Sequence, residues 1–231
     1  MSGLARNFDL ASASLRELNH YLHHDVKRER PTAVRVLNPD GAHSIACGVD
    51  APVDIQVLGH AGYFVGGMNQ HARITVHGNA STGAAENMMS GLVRIKGFAS
   101  TSAGASAHGG CLVVEGDASL RCGISLKGAD IVVGGSVGSF AAFMAQAGRL
   151  VVCGDAGDAL GDSLYEAVIY VRGKVKSLGA DARVEDMLPA DYDAVGALLE
   201  QAGFAHSPRE FCKVTSARSL YHWNADANQE Y

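Results

Sequence analysis

Residues 55–61 read IQVLGHA, and the same phrase returns at a fixed distance: ITVHGNA at 74–80, VRIKGFA at 93–99, LVVEGDA at 112–118, IVVGGSV at 131–137, LVVCGDA at 150–156 and IYVRGKV at 169–175. Its glycines, Gly59, Gly78, Gly97, Gly116, Gly135, Gly154 and Gly173, stand 19 residues apart. Glycine fills 28 of 231 positions, so seven in one phase by accident have odds on the order of one in a few million. Four and two residues before each glycine sits an aliphatic pair, from Ile55/Val57 to Ile169/Val171. Two residues after it stands Ala or Val, and thirteen after it Ala or Gly wherever a successor exists.

A two-residue spacing of apolar side chains is the period of a strand, whose alternate residues share a face. A 19-residue unit with one such strand cannot bury that face alone and must stack on its neighbours. The fold expected is all-β: a single-stranded β-helix of seven regular 19-residue coils, right-handed because parallel crossovers overwhelmingly are. At about 3.3 Å per residue a coil has a circuit of roughly 60 Å, and seven coils spaced about 4.8 Å apart make a rod of roughly 33 Å. The seven glycines read as corner residues that need either positive φ or a close backbone approach, rather than as phosphate-cradling loops.

The run from Val53 to Glu185 leaves extensions at both ends, giving three regions: 1–32 as a helical cap, 33–185 as the β-helix and 186–231 as a C-terminal helix and tail. In the first, Ser14 and Glu17 have capping-box spacing, and Leu15, Leu18 and Leu22 form a stripe that Pro31 ends. Ala33 to Leu37 alternates as a strand; if Asn38 takes the corner place, the step to Gly59 is 21 residues, an irregular first coil. In the last, Pro189 to Gly203 reads as a helix.

Within each coil the residue three before the glycine is expected to face outward. It runs Gln56, Thr75, Arg94, then Val113, Val132, Val151 and Tyr170. The apolar half of that series predicts a covered face, under a terminal helix or a partner subunit. Phe211, Arg218, Tyr221 and Trp223 mark the end of the chain as a candidate docking tail, with the aromatic and arginine anchors that carry interface energy, against an exposed tail that frays. Arg121 shares a phase with Phe64, Gly83, Ser102, Phe140, Ala159 and Leu178, and is read as an outward surface charge.

A formal charge of −5 argues against nucleic-acid binding. No run of 18 apolar residues is present, and Met1 to Leu10 lack a charged-then-apolar leader, so a cytoplasmic protein with no membrane partner is expected. Cys47, Cys111, Cys122, Cys153 and Cys212 show no CxxC or zinc spacing and read as reduced thiols in a β core. His20 and His24 lie four apart with Glu17 a turn earlier, but Tyr21 stands where a metalloprotease pattern needs glutamate. His60, His77 and His108 fall in different phases. No catalytic, cofactor-binding or metal residue is assigned.

Phrases such as Gly59-His-Ala-Gly62 and Gly154-Asp-Ala-Gly157 resemble the glycine-repeat β-helix domain at the C-terminal end of the glutamate synthase large subunit, a domain found also in a subunit of formylmethanofuran dehydrogenase. The likeness covers about residues 33–185. With its leader and the tail from Phe211 to Trp223, the chain is most similar to the middle subunit of the N-methylglutamate synthase (methylamine-glutamate N-methyltransferase) family. The resemblance implies a non-catalytic scaffold in a complex that makes N-methylglutamate from methylamine and glutamate. It implies an amidotransferase-like partner and an FMN-binding glutamate-synthase-like partner, with FMN and an iron-sulfur cluster on the latter. An assembly subunit of a formylmethanofuran dehydrogenase-like or other glutamate-synthase-like oxidoreductase is the alternative. A stand-alone enzyme such as a hexapeptide acyltransferase fits less well, because 19 is not a multiple of six.

Overall fold

The computed structural model describes residues 5–217. It is a β-helix of about seven turns. In chain order it runs β1 (Arg6–Asp9), α1 (Leu15–His24), α2 (Val26–Glu29), β2 (Val34–Leu37), β3 (Asp54–Val57), β4 (Arg73–Val76), β5 (Leu92–Ile95) and β6 (Cys111–Val114). There follow β7 (Lys127–Val133), β8 (Ala147–Val152), β9 (Val168–Val171), β10 (Ala182–Glu185), α3 (Pro189–Ala202), a 3-10 turn (Pro208–Glu210) and β11 (Cys212–Ser216). From β3 to β9 each strand pairs in parallel with the next at the repeat distance, placing Ile55, Ile74, Val93, Leu112, Ile131, Leu150 and Ile169 in one column. These side chains and the column two residues on are at most 1% exposed. A second row of bridges links Ala61, Ala80, Ala99, Ala118, Val137, Ala156 and Val175, where a small residue lets adjacent coils close together.

β2 joins the stack with Val34 opposite Ile55 and Val36 opposite Val57, so Asn38 does take the corner place in an irregular first coil. Residues 5–30 are not helical throughout, contrary to the sequence reading. Arg6–Asp9 is a strand, parallel to β2, with Phe8 opposite Val36. Its backbone occupies the edge that β2 would otherwise leave open, and the Phe8 ring lies 5.1 Å from that of Tyr21 on α1. The helix begins only at Leu15, where the Ser14 hydroxyl accepts the Glu17 N–H and the Glu17 carboxylate accepts the Ser14 N–H at 2.7 Å. Leu18, Leu22 and Val26 then seal the end of the aliphatic core.

The corner glycines act by close approach. From Gly97 onward each N–H donates to the carbonyl of the glycine one coil below: Gly97 to Gly78 at 3.0 Å, Gly116 to Gly97 at 2.9 Å, Gly135 to Gly116 at 3.0 Å, Gly154 to Gly135 at 2.8 Å and Gly173 to Gly154 at 3.0 Å. A Cβ on Gly78 or Gly154 would stand 2.7 Å from the carbonyl oxygen beneath, and one on Gly116 2.9 Å from it, inside any tolerable contact. Positive φ is needed only at Gly59, at 151°.

Beside the glycines runs a side-chain ladder. His60 Nδ1 accepts the Asn79 N–H at 3.0 Å, Asn79 Oδ1 that of Phe98 at 3.1 Å, Asp117 Oδ1 that of Ser136 at 2.7 Å, Ser136 Oγ that of Asp155 at 2.9 Å, and Asp155 Oδ1 that of Lys174 at 2.7 Å. The Gly-Asn and Gly-Asp pairs therefore serve as acceptors between coils. Phe98 interrupts the series, offering no acceptor to Asp117.

The third side of each coil carries the positive φ values, at the fifth, seventh and ninth residues after the corner. Phe64, Ser102, Arg121, Phe140 and Ala159 hold φ of 63°, 62°, 58°, 58° and 55°. Hydrogen bonds to the next coil fix this conformation, including Phe64 N–H to Thr82 at 2.9 Å and Arg121 N–H to Ser139 at 3.0 Å. Arg121 faces solvent, as its phase reading expected. Two residues on, the chain points inward, and the position is Gly66, Ala85, Gly104, Gly123, Ala142 or Gly161. A Cβ at Gly66 would already lie 3.0 Å from Val93 Cγ2. Asn69, fully buried, sits in the adjoining apolar column with both amide ends satisfied: its Oδ1 accepts the Ala72 N–H at 3.1 Å, and its Nδ2 donates to Ala72 at 2.9 Å and Ser90 at 3.1 Å.

Phe98 is 51% exposed and breaks an otherwise regular ladder. Replacing it with Asn supplies the missing acceptor to Asp117, and Phe98→Asn is expected to raise unfolding free energy by about 0.5–1.5 kcal/mol in urea titration. A destabilised variant would contradict the ladder.

Candidate functional surface

The outward residues of the strand sheet divide as their chemistry does. Val113, Val132 and Val151 have no exposed surface and Tyr170 is 3% exposed, because α3 lies across them with Val195, Leu198, Leu199 and Ala202, joined by Phe211. The cover is the chain's own helix. Each large aliphatic side chain buried there contributes about 1.5–3 kcal/mol relative to exposure. The helix starts with Pro189 and ends at Gly203, whose φ of 77° lets the backbone turn away.

Both ends of α3 are pinned by charge. At its C-terminus, Arg94 donates through Nη1 to the Ala202 carbonyl at 3.0 Å and through Nη2 to Gln201 at 3.3 Å, a cation placed at the negative end of the helix dipole. The same Nη1 bonds Glu115 at 3.0 Å, and Lys96 reaches Glu115 at 2.8 Å. Burial pushes the Glu115 carboxyl up, but the two cations outweigh it and hold it below its ordinary value. At the N-terminus, Asp191 accepts the Leu188 N–H at 2.8 Å, the Tyr170 hydroxyl at 2.7 Å and the Lys213 ammonium at 3.1 Å. Burial raises this carboxyl too, and the three donors more than reverse it. The Tyr170 phenol is pushed up, first by burial and then by the carboxylate.

Phe211, the first residue of the candidate docking tail, is buried at 5% exposure. It is spent on α3 rather than offered to a partner, because β11 follows it directly and inserts antiparallel between β9 and β10, with Cys212 opposite Val171. Arg218, Tyr221 and Trp223 lie outside the described residues.

The rings of His20 and His24 are 4.5 Å apart, but Glu17 is committed to the helix cap and His20 faces Asp25 at 4.0 Å. Among the described residues no three His, Cys, Asp or Glu side chains form a group that could hold a metal. Burial raises the thiols of Cys111 and Cys122 to about 12 and that of Cys153 to about 11. Protonated and dispersed, they do not fit an iron-sulfur site. His60 belongs to the corner ladder, and His77 Nε2 lies 2.6 Å from Gln56 Oε1. A cleft of about 450 Å³ opens between α2 and the approach to β3, lined by Val26, Lys27, Arg30, Pro31 and Val53. Its ammonium, on Lys27, is paired with Asp50 at 2.9 Å.

No helix among the described residues is long and apolar enough to cross a membrane. The third side of the coil carries several uncovered apolar side chains, with Tyr63, Met68, Leu120, Phe140 and Met144 39–50% exposed; Met89, Phe98, Val184 and Leu188 are exposed elsewhere. Sequence reasoning passed over this side, since its apolar residues recur at no single phase. The constant Gly-or-Ala position two residues after the first positive φ was the available signal for its backbone.

No family model matches the chain. Among curated proteins it is 53% identical over 224 residues to "Protein GlxC" of Rhizobium meliloti (strain 1021), an alignment spanning 96% of this chain and 98% of that protein.

Two results are expected. Arg94→Ala removes the cap on Ala202 and Gln201 and costs about 1 kcal/mol; faster amide exchange confined to the last turn of α3 would show it, and unchanged exchange there would refute it. Asp191 titrates lower folded than unfolded, so its contribution is fully present above the ordinary carboxyl value and is lost as pH falls through the depressed one. Acid is therefore expected to release the start of α3, and Asp191→Asn should flatten that part of the stability profile; a profile identical to that of the unchanged chain would contradict this.

Proposed function

The chain belongs to the family of the Rhizobium meliloti protein GlxC, and from that membership we propose that it is a non-catalytic β-helix subunit of a glutamate-synthase-like enzyme complex. The observation that carries the reading is what the coils do with their functional groups. On the outer strand face the half-buried carboxylates are engaged in holding the rod and its helix: Asp130 with Arg149 at 2.6 Å, Glu115 with Arg94 and Lys96, and Asp191 with Tyr170 and Lys213. A stack with its own backbone ladder and a pinned helix is stiff, and stiffness is what a spacer between catalytic subunits needs.

In this reading the complex makes N-methylglutamate from methylamine and glutamate in the cytoplasm. An amidotransferase-like subunit and an FMN-binding synthase subunit are the partners. FMN and the iron-sulfur cluster belong to the synthase subunit. The support for this finer assignment is the resemblance of the repeat, the leader and the tail to the corresponding family.

Affinity purification of the tagged chain from its native host, with peptide identification and a visible spectrum, tests it. The expected eluate contains both partner chains and the absorbance of bound flavin. A colourless chain recovered alone would remove the N-methylglutamate assignment while leaving the β-helix intact.

A further inference from the structure

We propose that β10 is the contact through which two copies of this chain join end to end, the two strands pairing antiparallel about a two-fold axis at Val184. The inference stands on the last edge of the sheet and is independent of which complex the chain serves.

β10 closes the strand order: it pairs with β11 on one side and, among the described residues, with no strand on the other. The Ala217 N–H donates to the Asp181 carbonyl at 2.6 Å, and Ala217 is the residue opposite Asp181 in the register that sets Ala182 against Ser216. That bond fixes the alternation of the ladder. Arg183 and Glu185 exchange their backbone bonds with β11, while Ala182 and Val184 turn theirs to the open edge. The Ala182 N–H is taken by the Gly179 carbonyl at 3.2 Å, and that of Val184 has no acceptor among the described residues.

The two ends of the rod are finished differently. At the first, Leu18, Leu22 and Val26 of the helices close the aliphatic column. At the last, Val184 stands opposite Val214, which is fully buried on the inward side of the sheet, and is itself 59% exposed. A strand with unpaired backbone groups and a bare apolar side chain is a template for another strand.

The charges beside Val184 select a second copy as that strand. With Val184 opposite Val184, each valine N–H donates to the other's carbonyl, Arg183 stands opposite Glu185 of the second copy, and Glu185 opposite its Arg183. The axis is normal to the sheet and passes between the two valines, so it reverses the strand while leaving each face of the sheet on its own side. The valines therefore meet on the inward side, extending the aliphatic column, and both ion pairs form on the outer face. In the next register on either side, Arg183 would meet Arg183 or Glu185 would meet Glu185. One register alone matches opposite charges. Within a single copy Arg183 Nε donates to Glu185 at 2.9 Å with the arginine side chain 57% exposed, so its guanidinium reaches the second copy's carboxylate by turning on the same face.

Sedimentation of the full chain from about 1 µM to about 500 µM is expected to show a monomer–dimer equilibrium, with amide exchange at Val184 slowing as concentration rises. Val184→Pro removes the edge donor without touching a backbone bond of the monomer and should raise the dimer Kd at least roughly tenfold. Val184→Lys, which sets a charge beside the axis, is expected to do the same and serves if the proline variant does not fold. Arg183→Glu should also raise Kd at least roughly tenfold, and combining it with Glu185→Arg should bring Kd back to within about threefold, with melting of the dilute chain confirming an unaltered monomer. A chain monomeric throughout the range, a dimer indifferent to both Val184 variants, or a double exchange without rescue would each overturn the proposal. Protection of the Val184 amide that is independent of concentration would overturn it in favour of the chain's own residues 218–231, and protection gained only in the company of other subunits would overturn it in favour of a strand from one of them.

Discussion

The rod depends on one contact repeated: a glycine N–H against the carbonyl of the glycine one coil beneath, at 2.8–3.0 Å along most of the stack. With backbone lying on backbone there is no room for a Cβ, and the corner is locked to one residue type. Everything else keeps step with that spacing. The aliphatic columns stack because the corners do, the alanine bridges close because their coils are already aligned, and the side-chain ladder from His60 to Lys174 spans the same translation. The positive φ values on the third side are costly for Phe64 or Arg121 alone. They persist because each coil's N–H groups find their acceptors only in that conformation.

Legibility followed from how far each feature is repeated. Corner glycines, strand columns and the phase of the first irregular coil could be read directly, because seven copies of one steric demand leave seven copies of one residue. The valines at 113, 132 and 151 stood out because they break the alternation of an open strand face. Among features that occur once, the helices α1 and α3 were readable from their caps and apolar spacing, and the flanking strands were not. Arg6–Asp9 has no apolar alternation, and it is a strand because an open edge of β2 lies beside it. Cys212–Ser216 falls outside the repeat and gains its conformation by inserting between β9 and β10. Phe211, taken with the tail, turned inward for the same reason. The left-handed positions were hidden because Phe, Arg and Ser do not announce positive φ; the constraint there is imposed by the neighbouring coil.

The division of the strand face has a functional side. Where the outward residues are apolar, α3 covers them and charged groups hold its ends; where they are polar, Gln56 and Thr75 remain without that helix. The apolar part of the outer strand face is thus covered within the chain, and Tyr63, Phe140 and Met144 on the third side stay exposed.

The cap formed by Arg94 on Ala202 joins residues 108 positions apart, whereas successive coils join residues 19 apart. During synthesis the coils can therefore stack as they emerge, each nucleated on the one before. The valine stripe is then complete while α3 is still to be made. For that interval the nascent chain presents a bare hydrophobic strip several strands long, the kind of surface on which translating proteins meet chaperones or one another. The helix that finishes the fold is also the element whose late arrival sets how long the chain must be protected.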